Sequence, residues 1–265
     1  MAETGGTELV GVERIGPVAV LTVDRPDRLN AMTNQMDLDF WAALENIYGD
    51  GTSRVIVWRG EGRAFSTGRD TKELGVRDAG VTHYQYISAG HERTHELLIP
   101  PRIPIIAAIQ GWCIGGSFER TLLCDLRIAS EDAQFRLPEM MYGLLPDSGG
   151  TARLFQMCGP GVVSDMAMTG RVMGASEALR LGVVSRVVPR EALDSEALEM
   201  ARAIAELPPL ALRYHRQLLG EMANPLVAAS VHQELLAQML VYQSADFAEL
   251  KTARSEGREP VYRET

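Results

Sequence analysis

The chain has 265 residues, of which 46% are hydrophobic, and carries a formal net charge of −9. This length and apolar content suit one large globular domain, with or without an appendage, and the acidic balance disfavours a general nucleic-acid-binding surface. We expect no membrane segment, because the most apolar interior stretch, Ile103 to Ile109, is far shorter than the roughly 18 residues needed to span a bilayer.

The first third of the chain alternates strand and helix patterns. Residues 18–23 (VAVLTV) predict a strand, which the following Arg25-Pro26-Asp27 cannot continue because proline lacks the ladder donor. From Thr33, apolar residues at helical spacing predict a helix to about Tyr48, with Thr33 or Asn34 as the N-cap. A further strand is predicted from Arg54 to Trp58.

A glycine-rich segment from Gly60 to Asp70 is predicted to be a positioned loop anchored by Phe65. The next segment, residues 78–98, is predicted to be a helix and contains the helical His-Glu-x-x-His pattern from His91 to His95. Such a pattern can hold zinc, but no third ligand is placed nearby. We therefore interpret this segment as a polar helical face and predict no metal site.

The middle of the chain combines a buried strand, a glycine turn and a helix. Residues 103–109 predict the strand, and Gly115-Gly116 opens a helix running to about Cys124. This arrangement presents backbone N–H groups at a helix start. A strand from Asp125 to Ala129 follows, and Pro138-Glu139 begins another short helix.

The remaining residues are mostly helical, so the chain is predicted to have an α/β core followed by an all-helical C-terminal third. The three cysteines, Cys113, Cys124 and Cys158, show no metal-ligand spacing, which indicates free thiols in a reducing, cytoplasmic compartment. The predicted elements are helices over 152–158 and 176–181, a strand over 183–188, helix from Glu191, a break at Pro208-Pro209, and helical segments over 210–221 and 226–243.

Two glutamates, Glu119 and Glu139, are the candidate catalytic residues of this sequence. Glu119 lies three residues after Gly116, so its carboxylate and the Gly116 N–H share the first turn of one helix. Glu139 follows a second, proline-marked turn. Enolate chemistry on a thioester needs an oxyanion hole and one or two carboxylates near the reacting carbons. The alternative for each glutamate alone is helix capping.

The chain resembles the crotonase superfamily, that is, the enoyl-CoA hydratase/isomerase superfamily, over nearly its whole length. Two segments, 135–139 and 145–150, are similar to the carnitinyl-CoA dehydratase branch. The segments that carry the resemblance are Arg25-Pro26 to Met32, Phe65 to Asp70, Ile106 to Gly111, Gly115-Gly116 with Glu119, Asp125, Pro138-Glu139, Gly149-Gly150, and Thr169-Gly170 through Glu177-Ala178.

The resemblance implies a crotonase-like spiral of ββα units over residues 1–198 and a C-terminal helical trimerisation region over residues 199–265. It further implies a homotrimer or homohexamer that binds an acyl-CoA thioester as substrate. Neither a nucleic acid nor a membrane is expected as a partner. No metal or redox cofactor is implied, since coenzyme A is part of the substrate.

The resemblance also implies the site residues. The oxyanion-hole N–H groups would belong to Thr67 and Gly116, and the catalytic carboxylates to Glu119 and Glu139. The first donor position is usually a small residue and Ser117 replaces a frequent third glycine, but neither change removes an N–H. In the tail, Arg254 and Gly257 replace the usual phenylalanine and lysine. The implied substrate-binding residues are Arg28, Asn30, Ala31, Ser66, Gly68, Asp70 and Gly115.

Asp147 leaves the function open. The family's fatty-acid hydratases usually have glycine there, whereas a catalytic aspartate occupies this position in dienoyl-CoA isomerase and an aryl-CoA dehalogenase branch. The alternative is an Asx turn before Gly149. Three functions therefore remain: a hydratase/dehydratase using both glutamates, a double-bond isomerase using Glu139 or Asp147, and an acyl-CoA-binding protein without turnover.

Overall fold

A computed structural model describes residues 9–77, 79–100 and 102–263. Its main feature is a six-stranded sheet of order β1-β2-β3-β4-β6-β9, in which β1 and β2 are antiparallel and the other neighbours are parallel. A second sheet has the order β5-β7-β8. The strands are β1 Val10–Ile15, β2 Val18–Val23, β3 Val55–Gly60, β4 Ile105–Ile109, β5 Trp112–Ile114, β6 Leu126–Ser130, β7 Gln134–Arg136, β8 Met173–Gly174 and β9 Arg186–Val188.

Helices cover both faces of the main sheet and form the C-terminal part of the chain. They are α1 Asn34–Gly49, α2 His83–Leu97, α3 Gly115–Leu123, α4 Gly150–Thr169, α5 Ala175–Arg180, α6 Leu193–Ala205, α7 Pro209–Gln243 and α8 Ala245–Glu256. Short 3₁₀ helices cover Pro26–Arg28, Glu139–Tyr142 and Arg190–Ala192.

The central strand β4 is buried on both faces, as its uninterrupted apolar run predicts. Ile106 and Ala108 face a small core shared with α6, whereas Ile105, Ala107 and Ile109 face the main core. The register places Val57 of β3 opposite Ile106. Strand β4 is followed by the short strand β5, which leads directly into α3. Because β4 is held in the core on both faces, it also fixes the position at which α3 begins.

The predicted α/β core and C-terminal helical region are confirmed, together with most of the predicted elements. Thr33 is the N-cap of α1, where its side chain accepts a hydrogen bond from the Met36 N–H at 3.1 Å. Helix α2 begins at His83, after a capping box formed by Thr82 and Gln85. The first residue of the predicted segment, Asp78, lies outside the described residues.

The C-terminal third differs from the prediction in one respect. The segments predicted over 210–221 and 226–243 form one helix, α7, which continues through Pro225. The chain breaks at Pro208, as predicted. The division into a core over residues 1–198 and a C-terminal helical region over residues 199–265 stays a prediction, and residue 198 lies inside α6. Within the described ranges, no helix is both long and apolar enough to cross a membrane.

Candidate active site

The glycine turn between β5 and α3 brings a helix start and a carboxyl group together. Gly115 has φ +58°, and a Cβ on this residue would lie 2.7 Å from Glu139 Oε1. The left-handed backbone conformation therefore favours glycine here, and a side chain at this position would displace the Glu139 carboxyl group. The Gly116 N–H, in the first turn of α3, has no acceptor within the helix.

Glu119 is fully buried on α3, and backbone N–H groups hold both of its carboxylate oxygens. Oε1 accepts a hydrogen bond from Asp147 N at 3.2 Å. Oε2 accepts from Ser148 N at 3.1 Å and from Gly150 N at 3.2 Å. Three donors from a single turn thus fix the orientation of this carboxylate.

Glu139 begins the 3₁₀ helix Glu139–Tyr142 and has a different environment. Its Oε2 is buried and has no hydrogen-bond partner among the described residues. Burial, and secondarily the nearby Asp147 carboxylate, raise the pKa of Glu139 to about 8. At neutral pH this side chain is therefore mainly a protonated acid.

Four carboxyl groups share the site, because Asp147 and Glu234 lie close to the two predicted catalytic glutamates. Burial raises the pKa of Glu119 well above its ordinary value, and the charges of Glu139, Glu234 and Asp147 add to this effect. The hydrogen bond from the Ser148 N–H acts in the opposite direction. Each charged carboxylate makes its neighbours harder to ionise, so the titrations of these groups depend on one another.

Asp147 is half-buried and lies beside a mixed set of polar groups. Burial raises the pKa of Asp147, whereas the charges of His91, Arg120 and Arg69 and a hydrogen bond with Gln238 lower it. The structure therefore places Asp147 in the site, although its catalytic role remains a prediction.

His91 belongs to the predicted polar face of α2, but the structure buries it. Its Nδ1 lies 2.8 Å from the Ile87 carbonyl oxygen, while Nε2 is buried without a hydrogen-bond partner among the described residues. Within the same residues, no group of three His, Cys, Asp or Glu side chains is arranged to hold a metal. The side chain of His95 lies outside the described part of the structure.

The predicted oxyanion donor Thr67 is already hydrogen-bonded. Its N–H donates to the Leu29 carbonyl oxygen at 3.0 Å. Leu29 and Asn30 have φ values of 52° and 55°, an uncommon left-handed conformation for residues other than glycine. Gly116 is therefore the predicted donor that is available in this structure, whereas Thr67 must exchange its partner to bind a substrate oxygen.

Two predicted substrate-binding side chains have internal hydrogen bonds. Ser66 Oγ donates to the Asn30 carbonyl oxygen at 2.7 Å and lies 2.8 Å from Ser117 Oγ. Asn30 Oδ1 accepts from the Arg25 N–H at 2.8 Å. Both residues thus organise the loop, and a contact with substrate stays a prediction. The amide nitrogen of Asn30 donates to the carbonyl oxygens of Glu61, Ala64 and Phe65.

The other predicted binding residues lie on the same loops. Arg28 is exposed, and Ala31 is half-buried with its carbonyl oxygen accepting a hydrogen bond from Arg25. Gly68 donates its N–H to Ser66 Oγ at 3.2 Å. Asp70 forms an ion pair with Arg25 at 2.8 Å. The structure brings these residues together around the Thr67 loop, whereas their contact with a ligand stays untested.

Asp37, which sequence reasoning missed, joins two parts of the site. Its carboxylate forms ion pairs with Arg120 at 2.5 Å and with Arg69 at 3.5 Å. Arg120 follows Glu119 directly, and Arg69 belongs to the loop that carries Thr67. Burial raises the pKa of Asp37, but Arg120 and Arg69 outweigh this effect and hold the pKa below its usual range. Asp37 therefore remains charged and links the Thr67 loop to α3.

Comparison with known proteins identifies the family to which this site belongs. The model of the enoyl-CoA hydratase/isomerase family matches residues 13–265, that is, most of the chain. The protein therefore belongs to the enoyl-CoA hydratase/isomerase family, as the sequence motifs predicted.

Two individual proteins illustrate the similarity of this chain to its relatives. The chain is 34% identical over 259 residues to a probable enoyl-CoA hydratase of Mycobacterium bovis, covering 96% of this chain and 98% of the relative. It is also 34% identical over 263 residues to a carnitinyl-CoA dehydratase of Salmonella enteritidis, covering 97% and 99%.

Solved structures of enoyl-CoA hydratases have the same fold as this chain, which confirms the predicted crotonase fold. An enoyl-CoA hydratase from Mycobacterium avium subsp. paratuberculosis is similar with a TM-score of 0.84 and 25% identity, over 98% of this chain and all of that one (100%). An enoyl-CoA hydratase subunit from Geobacillus kaustophilus is similar with a TM-score of 0.74 and 33% identity, over 97% and 98% of the two chains.

Proposed function

We propose that this protein is an enoyl-CoA hydratase/dehydratase, which adds water across the 2,3 double bond of a 2-enoyl-CoA or removes it in reverse. The observation that carries the proposal is the meeting of the fully buried Glu119 and the half-buried Glu139, in different hydrogen-bonding environments, at the start of α3. Glu119 accepts three backbone hydrogen bonds, whereas Glu139 has a buried oxygen without a partner among the described residues.

These environments support different roles for the two glutamates. We assign Glu119 as the base because three backbone N–H groups orient its carboxylate. These hydrogen bonds favour its charged form and oppose the burial and the neighbouring carboxylates that raise its pKa. Its carboxylate would remove a proton from water as the water oxygen bonds to Cβ. Glu139, whose pKa is raised to about 8, is suited to be the acid that delivers a proton to Cα.

The developing negative charge would lie on the thioester oxygen of the enolate. The Gly116 N–H at the start of α3 would donate to this oxygen, where the helix dipole also favours negative charge. The Thr67 N–H would become the second donor by exchanging its hydrogen bond with Leu29 for one with the substrate. The proposed reaction uses no metal or redox cofactor.

The proposal is tested by incubating the protein with a panel of 2-enoyl-CoA esters, including crotonyl-CoA and crotonobetainyl-CoA, in ¹⁸O-water. Mass spectrometry should find the label in a 3-hydroxyacyl product. Glu119→Gln and Glu139→Gln should each lower turnover by roughly 100-fold or more while preserving CoA binding. The exposed Glu131→Gln is the matched control.

Double-bond isomerisation is the second candidate, and the position of Asp147 favours it. Asp147 lies in the turn that holds Glu119, and its raised pKa would allow it to transfer a proton. An isomerase would incorporate deuterium from D₂O without ¹⁸O, and Asp147→Asn or Glu139→Gln would remove that exchange. Binding of enoyl-CoA with neither label would support a non-catalytic acyl-CoA-binding protein.

A cytoplasmic location is part of the same proposal. Cys113, Cys124 and Cys158 are all free thiols, and Cys113 and Cys124 are buried. Unpaired cysteines are typical of a reducing compartment. The location is checked by fractionating cells that express the protein at its natural level.

A further inference from the structure

Glu234, on the long helix α7, contacts the turn that orients Glu119. Its Oε2 accepts a hydrogen bond from Gly149 N at 2.9 Å, and its Oε1 accepts one from Ser230 Oγ at 2.6 Å. Sequence reasoning did not select this residue, since nothing distinguishes it from the other polar residues of a helical segment. It is separated from Glu119 by more than 100 residues of chain.

Four successive N–H groups of the turn donate to only two carboxylates. Those of Asp147, Ser148 and Gly150 donate to Glu119, and that of Gly149 donates to Glu234. A turn whose N–H groups all converge on these two side chains cannot shift without changing the hydrogen bonds of both. The position of the Glu119 carboxylate is therefore coupled to α7.

Packing supports the same coupling. Gly149 has φ +80°, and a Cβ on this residue would lie 2.7 Å from a methyl group of Val231 and 3.0 Å from one of Val227. Both valines are buried residues of α7. At the other end of the turn, Gln238 Oε1 accepts a hydrogen bond from Leu145 N at 3.0 Å. Helix α7 thus contacts the turn from Leu145 to Gly149.

The carboxylate of Glu234 also acts on Glu119 through its charge. Glu234 is one of the neighbours that raise the pKa of Glu119. Burial raises the pKa of Glu234 itself, whereas Ser230, Gly149 and His91 lower it and Asp147 raises it. The titratable groups around it are thus Glu119 on α3, Asp147 in the turn and His91 on α2.

We infer that Glu234 is a positioning residue for the proposed hydratase reaction, holding the turn 147–150 so that Glu119 faces the water and the substrate. This role rests on the proposed function of Glu119 as the base. Glu234 itself would not touch the reacting atoms. It would act through a hydrogen bond to Gly149 and through its negative charge, and these two contributions can be separated by substitution.

The test compares Glu234→Ala, which loses both contributions, with Glu234→Gln, which loses the charge but retains an oxygen acceptor for Gly149. The matched control is Glu221→Gln, an exposed residue of the same helix. In the hydration assay, Glu234→Ala should lower kcat between about tenfold and 100-fold with a smaller change in KM, because the base is misplaced. Glu234→Gln should recover most of this loss.

The pH profile supplies a readout that a purely structural role would not change. Removing a negative charge near Glu119 makes Glu119 easier to ionise. The acidic limb of kcat/KM should therefore move to lower pH in Glu234→Gln but not in Glu221→Gln. An unmoved limb, or a Glu234→Gln variant as slow as Glu234→Ala, would overturn the inference. If Glu234→Ala does not fold, the acidic limb of the kcat/KM profile of Glu234→Gln is the deciding measurement.

Amide hydrogen exchange measured by NMR separates this inference from the proposed function. In Glu234→Ala, the amides of residues 147–150 should exchange roughly tenfold faster or more, whether or not the wild-type protein hydrates an enoyl-CoA. Unchanged exchange in a folded Glu234→Ala variant would contradict the positioning role. Absence of ¹⁸O incorporation by the wild-type protein would instead contradict the proposed function.

Discussion

Individual residues in this site are held in states that they would not adopt in water. Glu139 keeps a carboxyl oxygen in a buried position with no hydrogen-bond partner among the described residues, and its pKa is raised to about 8. Glu119 is fully buried and accepts three backbone hydrogen bonds. Burial disfavours ionisation of both groups, whereas the hydrogen bonds from the turn favour the charged form of Glu119.

The raised pKa of Glu139 predicts a pH-dependent stability. Between its ordinary pKa near 4.5 and about 8, the folded protein binds more protons at Glu139 than the unfolded chain does. This contribution to the free energy of unfolding is complete below pH 4.5 and is lost as the pH rises through 8. Glu139→Gln should therefore be more stable than wild type at pH 8 or above, by on the order of 5 kcal/mol, but not at pH 4.

Thermal unfolding measured from pH 4 to pH 9 checks this expectation. The exposed Glu131→Gln, as control, should follow the wild-type curve at every pH. A constant difference between Glu139→Gln and wild type would contradict the raised pKa.

Gly115 provides a second prediction at the residue scale. Gly115→Ala adds a methyl group only 2.7 Å from Glu139 Oε1 at a φ of +58°. Gly16→Ala is a matched control, because Gly16 has φ +61° and no atom within 4 Å of its would-be Cβ. Both variants should lose about 1 kcal/mol of unfolding free energy from backbone strain. Only Gly115→Ala should also lose turnover, by roughly tenfold or more, because Glu139 is displaced.

Urea unfolding and the hydration assay check the pair of variants. Equal turnover in the two would show that the contact with Glu139 has no effect on the reaction.

At the scale of elements, α1 connects the two halves of the site. Asp37 lies in the first turn of α1, and its ion pairs link α1 to Arg120 on α3 and to Arg69 on the Thr67 loop. Trp41 Nε1 also lies 3.4 Å from Asp37 Oδ2, and the Arg120 guanidinium stacks 4.6 Å from the Trp41 ring centre. These groups are largely buried, so breaking one pair leaves a charge without compensation.

Asp37→Asn is therefore expected to be strongly destabilising. The loss should be about 3 kcal/mol of unfolding free energy near neutral pH. Because two arginines depress the pKa of Asp37, its contribution to stability is present above the ordinary pKa of 3.8 and is lost as the pH falls below it. The difference between variant and wild type should thus shrink in acid.

The exposed ion pair of Arg93 with Glu45 is the matched control, and Glu45→Gln should cost less than about 1 kcal/mol. Denaturant unfolding of the two variants at pH 7 makes the comparison. Equal losses would show that the buried position of Asp37 adds nothing.

At the scale of the whole molecule, α7 leaves an apolar stripe exposed. The side chains recur at four-residue intervals, so successive ones lie next to each other along a ridge that winds slowly around the helix. Such a contiguous exposed apolar surface is typical of protein–protein contact. The family resemblance implies trimers, and this stripe is where we expect copies of the chain to meet. The residues are Leu210, Tyr214, Leu218, Met222 and Leu226.

The expected assembly has three or six times the chain mass of 29.0 kDa. Light scattering coupled to size-exclusion chromatography measures it. Leu218→Glu and Met222→Glu should lower the mass, because a charge would be buried in the contact. Leu38→Glu, at an exposed residue of α1, should leave it unchanged. A wild-type mass of a single chain would contradict the expectation.

Local sequence patterns predicted a helix or strand correctly wherever the interaction that determines it joins residues close together in the chain. Thr33 caps α1 through the N–H three residues later, the β4 run is apolar throughout, and Gly115-Gly116 opens α3. The strand β1 was not predicted, because its apolar and polar residues do not alternate regularly and only one of its six residues, Val10, is buried at this sheet edge. The strands of the second sheet are three residues long or shorter, too short for a period to show.

The amino-acid sequence by itself determined the helix start at Gly115-Gly116 and the family, and it selected Glu119 and Glu139 as candidate catalytic carboxylates. Only the tertiary structure decided which groups surround them. These are Glu234 from α7, Asp37 from α1, and the Leu29 carbonyl oxygen, which accepts a hydrogen bond from the Thr67 N–H. The physical reason is that a pKa or a free hydrogen-bond donor depends on burial and on partners far apart in the chain. These arise only when the segments pack together.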